Sequence, residues 1–482
     1  MPRTAAFIFS TLALGLAMVA QAQTPALSEA TRAFVEYDQP SIAITHVRVI
    51  DGNGTQALDD QTVVLRDGRI ASVRAHGKAP KGATTIDGTG RTLIPGLVGM
   101  HDHMFYPAPK VNPDAKEALY PEQASSFPKL YLAGGVTTIR TTGSTEPYTD
   151  LALKHAIDAG DIPGPKMHTT GPYLEGAGSF APQLHELKDA ADARDTVDYW
   201  IGEGATSFKA YMHITRAELA AAIAAAHAKH IKVTGHLCSI GFREAVELGI
   251  DNLEHGLVVD TEFVPGKTTD VCPNTRQAGA QLSAMTIDDP RLQQLISLLV
   301  DRHVAVTSTL PVFETFVAGR APVDPRVLDA MLPETRAEYL KTRDAIAKKN
   351  DPTWARLFKL EQDFERAFVA RGGMLLAGLD PTGYGGVIAG YGDQREVELL
   401  VESGFTPVQA IQIATMNGAR FLGEDKTIGS IEPGKAADLV LVTGNPAQDI
   451  HDIEHVEVVF KDGVGYDPKK LVQAANGTVG LR

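Results

Sequence analysis

Residues 94–103 read Ile94-Pro95-Gly96-Leu97-Val98-Gly99-Met100-His101-Asp102-His103, an apolar run that ends in two histidines. The apolar part has the length and composition of a buried strand. Side chains alternate between faces along a strand, so His101 and His103 point the same way and can bind one metal ion together. On its own, such a pair more often has a structural role, so the downstream sequence must decide between the two interpretations.

Buried strand candidates alternate with helical patterns from Thr92 to Glu424, which is the sequence sign of parallel βα units. The strand ends fall at Val98–His103, Thr137–Thr141, Lys166–Thr170, Ser207–Tyr211, Lys232–His236, Asn252–His255, Val304–Ser308 and Met374–Ala377. This pattern predicts the α/β class and a (β/α)₈ TIM barrel, whose chemistry lies at the C-terminal ends of its strands. Residues 265–290 lack periodicity and are expected to form a loop over the barrel mouth.

Short β-branched runs occur on both sides of this segment. They are Ile42–Ile50, Thr62–Leu65 and Ile70–Val73 near the start, and Ala437–Val442 and Val456–Phe460 near the end. Asp67-Gly68 is a hairpin signal, and we expect the two ends of the chain to pair into one small β-sandwich. The predicted organisation is a signal peptide at 1–22, a β-sandwich built from 23–92 and 425–482, and a barrel at 93–424.

The first residues have the pattern of a bacterial secretory signal. Arg3 supplies a positive start, Ala5 to Val19 is nearly unbroken apolar sequence, and Ala20-Gln21-Ala22 has the small-x-small cleavage pattern. The apolar run is shorter than the roughly 20 residues that a bilayer requires, which favours a cleaved signal over an anchor. The sequence therefore predicts a periplasmic or secreted protein that has no membrane association after cleavage.

Charge and cysteine content narrow the classes of partner and of fold. The formal net charge of −14 and the pI near 5.5 argue against nucleic-acid binding, because neutralising phosphates requires a basic face. The chain has only two cysteines, Cys238 and Cys272, so no disulfide framework holds this fold together. These two residues either form one disulfide or remain as two buried thiols.

Lys209 lies at the end of an otherwise apolar strand, in Ser207-Phe208-Lys209-Ala210-Tyr211. A buried, unpaired ammonium is costly, so this lysine must be paired, neutral or chemically modified. A carbamate formed with CO₂ would give an anionic group with two oxygens that can bridge two cations. Pairing with an acid is the alternative.

Three further residues follow later strand candidates. His236 and His255 end two successive strands, so both would face the same barrel mouth. Asp380 comes just after the eighth strand, where a carboxylate can contact both a metal and its bound water. Its alternative role is that of a turn residue, because Asp before Pro commonly begins a turn.

These residues resemble the binuclear-metal amidohydrolase superfamily in their order along the chain. The resemblance extends to the segments Gly134 to Thr138, Glu396 to Leu400, Thr406-Pro407 and Ile428 to Asp438, and it is closest to the imidazolonepropionase-like and Xaa-Pro-dipeptidase-like branch. This chain departs from the typical sequence of the branch at two positions. Gln394 replaces a histidine, and Tyr211-Met212-His213 continues directly into a helix where many members have a glycine-rich loop. Both differences are expected to fall where substrate binds.

The resemblance implies two divalent metal ions, most simply Zn²⁺. His101, His103 and Asp380 would hold the buried ion, His236 and His255 the more exposed one, and an N6-carboxylated Lys209 would bridge them. Asp380 would also accept the proton of the attacking water and return it to the leaving amine, and Tyr211 would contact the substrate or the oxyanion, with a packing role as the alternative.

The implied activity is hydrolysis of an amide bond in a small molecule, a dipeptide or an N-acyl amino acid. A lactonase, aryl-amidase or organophosphate hydrolase would use the same site, and an inactive binding scaffold is disfavoured because all six candidate ligands are present. Whether the chain forms a homo-oligomer is left open by the sequence.

Overall fold

The computed structural model describes residues 26–109, 118–320 and 324–481. The expected signal peptide at 1–22 lies outside these ranges. Within them, no helix is both long enough and apolar enough to cross a membrane.

The two ends of the chain contribute strands to one mixed sheet. In chain order these strands are β1 (Val35–Tyr37), β2 (Ser41–Val49), β3 (Leu58–Arg66), β4 (Arg69–Ala75), β5 (Thr84–Asp87), β6 (Arg91–Pro95), β15 (Leu439–Thr443), β16 (Val456–Lys461) and β17 (Val464–Tyr466). Their order is β1-β17-β16-β15-β6-β2-β3-β4, with β5 beside β2. The antiparallel pair β15–β6 joins the two ends, as expected, whereas the division into domains stays a prediction.

Sequence signals explain this sheet locally. Asp67 and Gly68 both have positive φ, 49° and 77°, which is the backbone that a tight hairpin between β3 and β4 requires. One face of the sheet is apolar, and Ile42, Leu439 and Phe460 are buried there without measurable exposure. Burial of this face holds the two ends together although they lie far apart in sequence.

All eight predicted parallel strands are present. They are β7 (Leu97–Asp102), β8 (Val136–Thr141), β9 (Lys166–His168), β10 (Ser207–Ala210), β11 (Lys232–Gly235), β12 (Asn252–Glu254), β13 (Ala305–Ser308) and β14 (Leu375–Ala377). Strands β7 to β9 form one parallel sheet, and β10 to β14 form another in sequential order. Parallel bridges Thr170–Ser207 and Leu174–Ala210 connect the two sheets. This is an α/β fold with parallel sheets.

The loop after β14 lies directly against β7. The Asp380 amide donates a hydrogen bond of 3.0 Å to the His101 carbonyl. A Cβ atom on Gly378 would lie only 2.5 Å from the His101 nitrogen, so this approach requires glycine. The first and last strands of the series are thus brought together at the histidine-bearing end.

The helices are α1 (Glu29–Arg32), α2 (Phe127–Ala133), α3 (Pro147–Asp158), α4 (Ala190–Glu203), α5 (Arg216–His227), α6 (Phe242–Leu248), α7 (Thr275–Leu282), α8 (Pro290–Asp301), α9 (Leu310–Glu314), α10 (Pro325–Ala330), α11 (Pro333–Lys349), α12 (Pro352–Ala370), α13 (Tyr391–Glu402), α14 (Pro407–Gln412), α15 (Gly418–Leu422) and α16 (Pro468–Ala475). Thr215 and Glu218 form a capping box that begins α5. A π-helical turn, Ile413–Asn417, joins α14 to α15.

A disulfide joins Cys238 to Cys272, so the first of the two alternatives for these cysteines holds. Cys238 follows β11 by three residues, and Cys272 belongs to the aperiodic segment 265–290. That segment is irregular apart from α7 and the start of α8. The bridge therefore attaches the segment to the end of a central strand.

Candidate metal centre

His101 and His103 lie at the end of β7, and their ligand atoms meet the Asp380 carboxylate. His101 Nε2 is 3.8 Å from Asp380 Oδ2, and His103 Nε2 is 3.8 Å from Asp380 Oδ1. One ligand atom from each residue falls within 4.8 Å of the others, and all three side chains are buried. Two imidazole nitrogens and a carboxylate at such separations can surround a single cation.

Hydrogen bonds fix the orientation of the imidazole rings. The Nδ1 atom of His101 lies 2.7 Å from Glu254 Oε2, that of His103 lies 3.0 Å from the Gly143 carbonyl, and that of His255 lies 2.8 Å from Thr309 Oγ1. A carboxylate or carbonyl that accepts a proton from Nδ1 leaves the Nε2 lone pair available for a metal.

Several polar atoms at this position have no hydrogen-bond partner among the described residues. They are His103 Nε2, His255 Nε2 and Asp380 Oδ1, and each is buried. Buried polar atoms are normally satisfied, so these unpartnered atoms, of which His103 Nε2 and Asp380 Oδ1 lie 3.8 Å apart, require an explanation. A divalent cation with nitrogen and oxygen ligands would satisfy them, and this donor set suits zinc.

Burial sets the charge state of these groups. It lowers the pKa of His101, His103 and His255 well below the usual value, and it lowers the pKa of His236 to about 3. The imidazoles are therefore neutral at neutral pH, which is the form that binds metals. Burial also raises the pKa of Asp380 to about 6, although Lys209 opposes this shift.

Lys209 lies in the middle of the cluster, on β10. Its Nζ atom is 3.0 Å from His101 Nε2, and it lies 5.2 Å from the Tyr173 ring centre and 5.7 Å from that of Tyr211. Burial lowers its pKa to about 8. Among the described residues no carboxylate forms an ion pair with it, so the pairing alternative does not hold within that part of the chain.

The remaining candidates complete one side of the cluster. The His255 ring centre is 4.3 Å from that of His101 and 4.5 Å from that of His236, and the Tyr211 ring centre is 5.1 Å from that of His236. The structure thus brings all of the predicted site residues together. Their roles as ligands and catalysts remain predictions.

Two of these residues have unusual backbone conformations. His255 has a φ of 68° and Asp380 a φ of 49°, both in the left-handed region that side chains rarely adopt. Each follows the end of its strand and turns the chain so that its side chain faces the cluster. Strained backbone of this kind concentrates at functional sites.

The residues that support the His101 ring, Glu254 and Arg140, were not predicted from the sequence. Glu254 accepts hydrogen bonds from His101 and Thr234, and it forms an ion pair of 2.7 Å with Arg140, which also contacts Asn252. All are fully or almost fully buried. The sequence does carry a signal for them, because Arg140 and Glu254 are charged residues within strands that are predicted to be buried, and buried charges must be paired.

The departure at Gln394 does not affect this site. Its amide donates to the Gly134 carbonyl at 3.2 Å and accepts from Arg326 at 3.1 Å. It does not line the cavity beside the cluster. The expectation that this residue occupies the substrate position is therefore wrong, because the first turn of α13 directs it toward α2.

A cavity of about 50 Å³ opens beside the cluster. His103, Lys209, His236, His255 and Asp380 line its floor. Its walls are largely aromatic and are formed by Phe105, Tyr120, Tyr173, Phe180 and Tyr211. The arrangement can place a small, largely apolar molecule against the metal ligands.

The sequence matches the model of the amidohydrolase family over residues 92–269 and 383–465, which is more than half of the chain. The chain belongs to the amidohydrolase family. The matched ranges contain every candidate ligand except Asp380, which lies three residues before the second range.

Individual relatives match this amidohydrolase over shorter stretches. An imidazolonepropionase from Mycolicibacterium smegmatis is 34% identical over 160 residues, 32% of this chain and 37% of that protein. A dihydroorotase from Anaeromyxobacter dehalogenans is 32% identical over 138 residues, 27% of this chain and 29% of that protein. The chain thus spans less than half the length of these curated relatives.

A solved structure extends the likeness to nearly the whole fold. It is a Xaa-Pro dipeptidase with bound methionine, which covers 89% of this chain and 100% of its own, with a TM-score of 0.66 and 22% identity. At this identity the likeness concerns the fold.

Proposed function

We propose that this amidohydrolase is a metal-dependent enzyme that hydrolyses a C–N amide bond in a small molecule. The observation that carries the proposal is that His103 Nε2 and Asp380 Oδ1, both buried and without a hydrogen-bond partner among the described residues, lie 3.8 Å apart beside His101. Family membership supports the same reaction class.

We infer that the eight parallel strands close into a barrel. The bridges between the two sheets and the hydrogen bond from Asp380 to His101 support closure on both sides. A closed barrel with strands β7 to β14 would direct all of the candidate ligands to one mouth. We further propose that the mixed sheet formed by both chain ends folds over into the two layers of the small β-sandwich domain, because Val63 and Phe460 from opposite parts of the sheet share one core.

The site would hold two divalent cations, with Zn²⁺ as the best fit to the imidazole and carboxylate ligands. His101, His103 and Asp380 would hold one, and His236 and His255 the other. When bound, such ions activate water at neutral pH and polarise a carbonyl oxygen.

We propose that Lys209 is carboxylated on its side-chain nitrogen and bridges the two positions. An ammonium 3.0 Å from His101 Nε2 would occupy the lone pair that a metal needs. The ammonium first loses one proton, and the neutral amine then forms an N–C bond with CO₂ and releases a second proton, so that a positive charge is replaced by a negative one. The modified side chain would then join the ligands instead of opposing them.

The side chains of the cavity have distinct tasks in hydrolysis. Asp380 accepts a proton from the attacking water, and the same group returns it to the nitrogen as the C–N bond breaks. Tyr211, whose ring lies beside His236, donates a hydrogen bond to the carbonyl oxygen as negative charge develops. The aromatic walls exclude bulk water.

A dipeptide or an N-acyl amino acid is the proposed substrate, because the fold resembles that of a Xaa-Pro dipeptidase. The enzyme would act in the periplasm or outside the cell, since residues 1–22 have the pattern of a secretory signal.

The test is a mass-spectrometric screen of zinc-loaded protein against dipeptides, N-acyl amino acids, their amides, lactones and phosphotriesters, with Asp380→Asn as control. We expect the wild type alone to release an amine from at least one amide. Cleavage of lactones or phosphotriesters without any amide would contradict the proposed bond type.

A further inference from the structure

A groove of about 470 Å³ adjoins the cavity beside the cluster of candidate ligands. The cavity and the groove share three lining residues, Thr145, Tyr173 and Leu184. These residues therefore stand between the candidate ligands and the larger space, which we call the distal groove. The groove therefore lies directly beside the position of the proposed chemistry.

The cavity itself is too small for the proposed substrate. Its volume is about 50 Å³. Pockets that hold drug-sized ligands measure roughly 300–1,000 Å³. Only the scissile group fits beside the ligands, so most of the substrate must occupy a neighbouring space, and the distal groove has the required volume.

Helix α4 forms one wall of the distal groove. Asp192, Asp195, Thr196 and Tyr199 line it, and their spacing of three, four and seven residues puts them on one face of the helix. The opposite wall comes from the loops after β8 and β9, which also carry cavity residues. The groove thus lies at the same C-terminal ends of the parallel strands as the candidate ligands.

This wall exposes aromatic surface. Tyr199 is 53% exposed, and the Trp200 ring centre lies 5.4 Å from that of Tyr199 and 4.7 Å from that of the equally exposed Tyr148. Large aromatic side chains usually bury most of their surface. Their open faces here suit stacking against an aromatic or apolar part of a ligand.

The charges of the groove are negative. Asp195 is 77% exposed, and Arg194 approaches its carboxylate only at 3.9 Å. Asp192 accepts a hydrogen bond from the Lys188 amide and lies 3.3 Å from His185 Nε2. Among the described residues that line the cavity and the groove, none is an arginine, and Lys209 is the only lysine.

A free carboxylate bound in the distal groove would therefore meet no lysine or arginine side chain among the described residues that line it. Desolvating an unpaired carboxylate is costly, and two aspartates nearby add repulsion. An uncharged carboxamide or an aryl group avoids both penalties and gains contact with Tyr199 and Trp200.

We propose that the distal groove binds the part of the substrate remote from the scissile bond, and that it selects an aromatic or apolar group without a free carboxylate. This inference rests on the proposed amide hydrolysis and narrows it. Carboxyl-blocked amides are then better substrates than the dipeptides or N-acyl amino acids with free acids. Asp192 and Asp195 set this preference, and α4 supplies the stacking surface.

Binding to a turnover-deficient protein tests the inference without relying on turnover. The probes are an N-acyl-phenylalanine and its carboxamide, titrated calorimetrically into zinc-loaded Asp380→Asn protein. We expect the carboxamide to bind at least tenfold more tightly. Equal affinity, or tighter binding of the free acid, would overturn the inference.

Two lysine variants locate the preference in the groove. In the same Asp380→Asn background, Asp195→Lys should reduce the ratio of the two affinities about fivefold. Asp198→Lys makes the same charge change on α4 but outside the groove lining, and it should leave the ratio unchanged. Equal responses of the two variants would overturn the assignment to the groove. The wild-type protein could bind the carboxamide selectively and yet hydrolyse no amide. That result would contradict the proposed hydrolysis and leave the inference about the groove standing.

Discussion

The cavity and the distal groove differ in how tightly their side chains are held. In the cavity, His101, His103 and His255 are each fixed by a hydrogen bond behind the ring, and the surrounding groups are buried. In the groove, Tyr199 and Asp195 are exposed; among the described residues, Tyr199 is held only by its contacts with the partly exposed Tyr148 and Trp200, and Asp195 only by Arg194 at 3.9 Å. In the proposed account, the chemistry, which needs fixed geometry, lies in the cavity, and substrate recognition, which tolerates variation, lies in the groove.

This contrast predicts that substitutions in the cavity act on turnover and substitutions in the groove act on substrate affinity. The largest effect is expected for Asp380→Asn. Loss of the proton acceptor should lower kcat by about 10²- to 10⁴-fold, the range for general acid–base groups. Metal content, measured by plasma mass spectrometry, should change little, because an amide oxygen remains available as a ligand. Undiminished kcat would show that Asp380 does not transfer the proton.

Glu254→Gln tests the support behind His101. The neutral amide weakens the hydrogen bond to Nδ1 and leaves Arg140 without its buried partner. Loss of such an outer partner typically costs about 10- to 100-fold in metal affinity or activity. A competition assay with a zinc chelator measures the change in metal affinity. Asp251→Asn, a partly exposed carboxylate next to β12, serves as the control, and equal effects of the two would argue against a specific role.

Thr196→Trp narrows the distal groove without touching a candidate ligand. The expected result is a KM that rises about tenfold for a substrate with an aromatic remote part, while kcat and metal content stay close to wild type. A small acetyl amide should be unaffected because it does not reach the groove. Steady-state kinetics with both substrates measures KM and kcat separately. A fall in kcat without a rise in KM would mean that the groove acts on the chemical step and not on substrate binding.

The smallest effect on activity is expected for Cys272→Ser. The disulfide closes a loop between two residues that are 34 apart in the sequence. In the chain-entropy account, its loss lowers the free energy of unfolding by about 3–4 kcal/mol, so the thermal midpoint should fall by several degrees. The bridge anchors an outer segment and not a ligand, so kcat should change less than about twofold. Calorimetry and kinetics with and without reductant measure both quantities. A large loss of kcat would mean that the bridge positions His236.

The parallel strands and the site residues were predictable because both depend on local patterns. Short apolar runs fixed the eight strands, and the position of His101, Lys209 or Asp380 at a strand end was enough to predict a shared mouth. Positive φ at His255 and Asp380 was not predictable, since neither residue type demands it.

Features that depend on contacts between distant segments were missed or left open. The pairing of Glu254 with Arg140, the contact of Gln394 with Gly134 and the bridge between Cys238 and Cys272 each join residues from different parts of the chain. The distal groove combines a helix face with loops after two strands, so its volume and charge emerge only when these elements are packed together.

Metal stoichiometry is the most direct test of the central claim. The protein, purified without chelator and loaded with zinc in bicarbonate buffer, is dialysed and analysed by plasma mass spectrometry beside Lys209→Ala. The proposed site predicts two tightly bound ions per chain in the wild type and fewer in the variant. A wild-type chain that retains no divalent metal after loading would contradict a metal-dependent hydrolase.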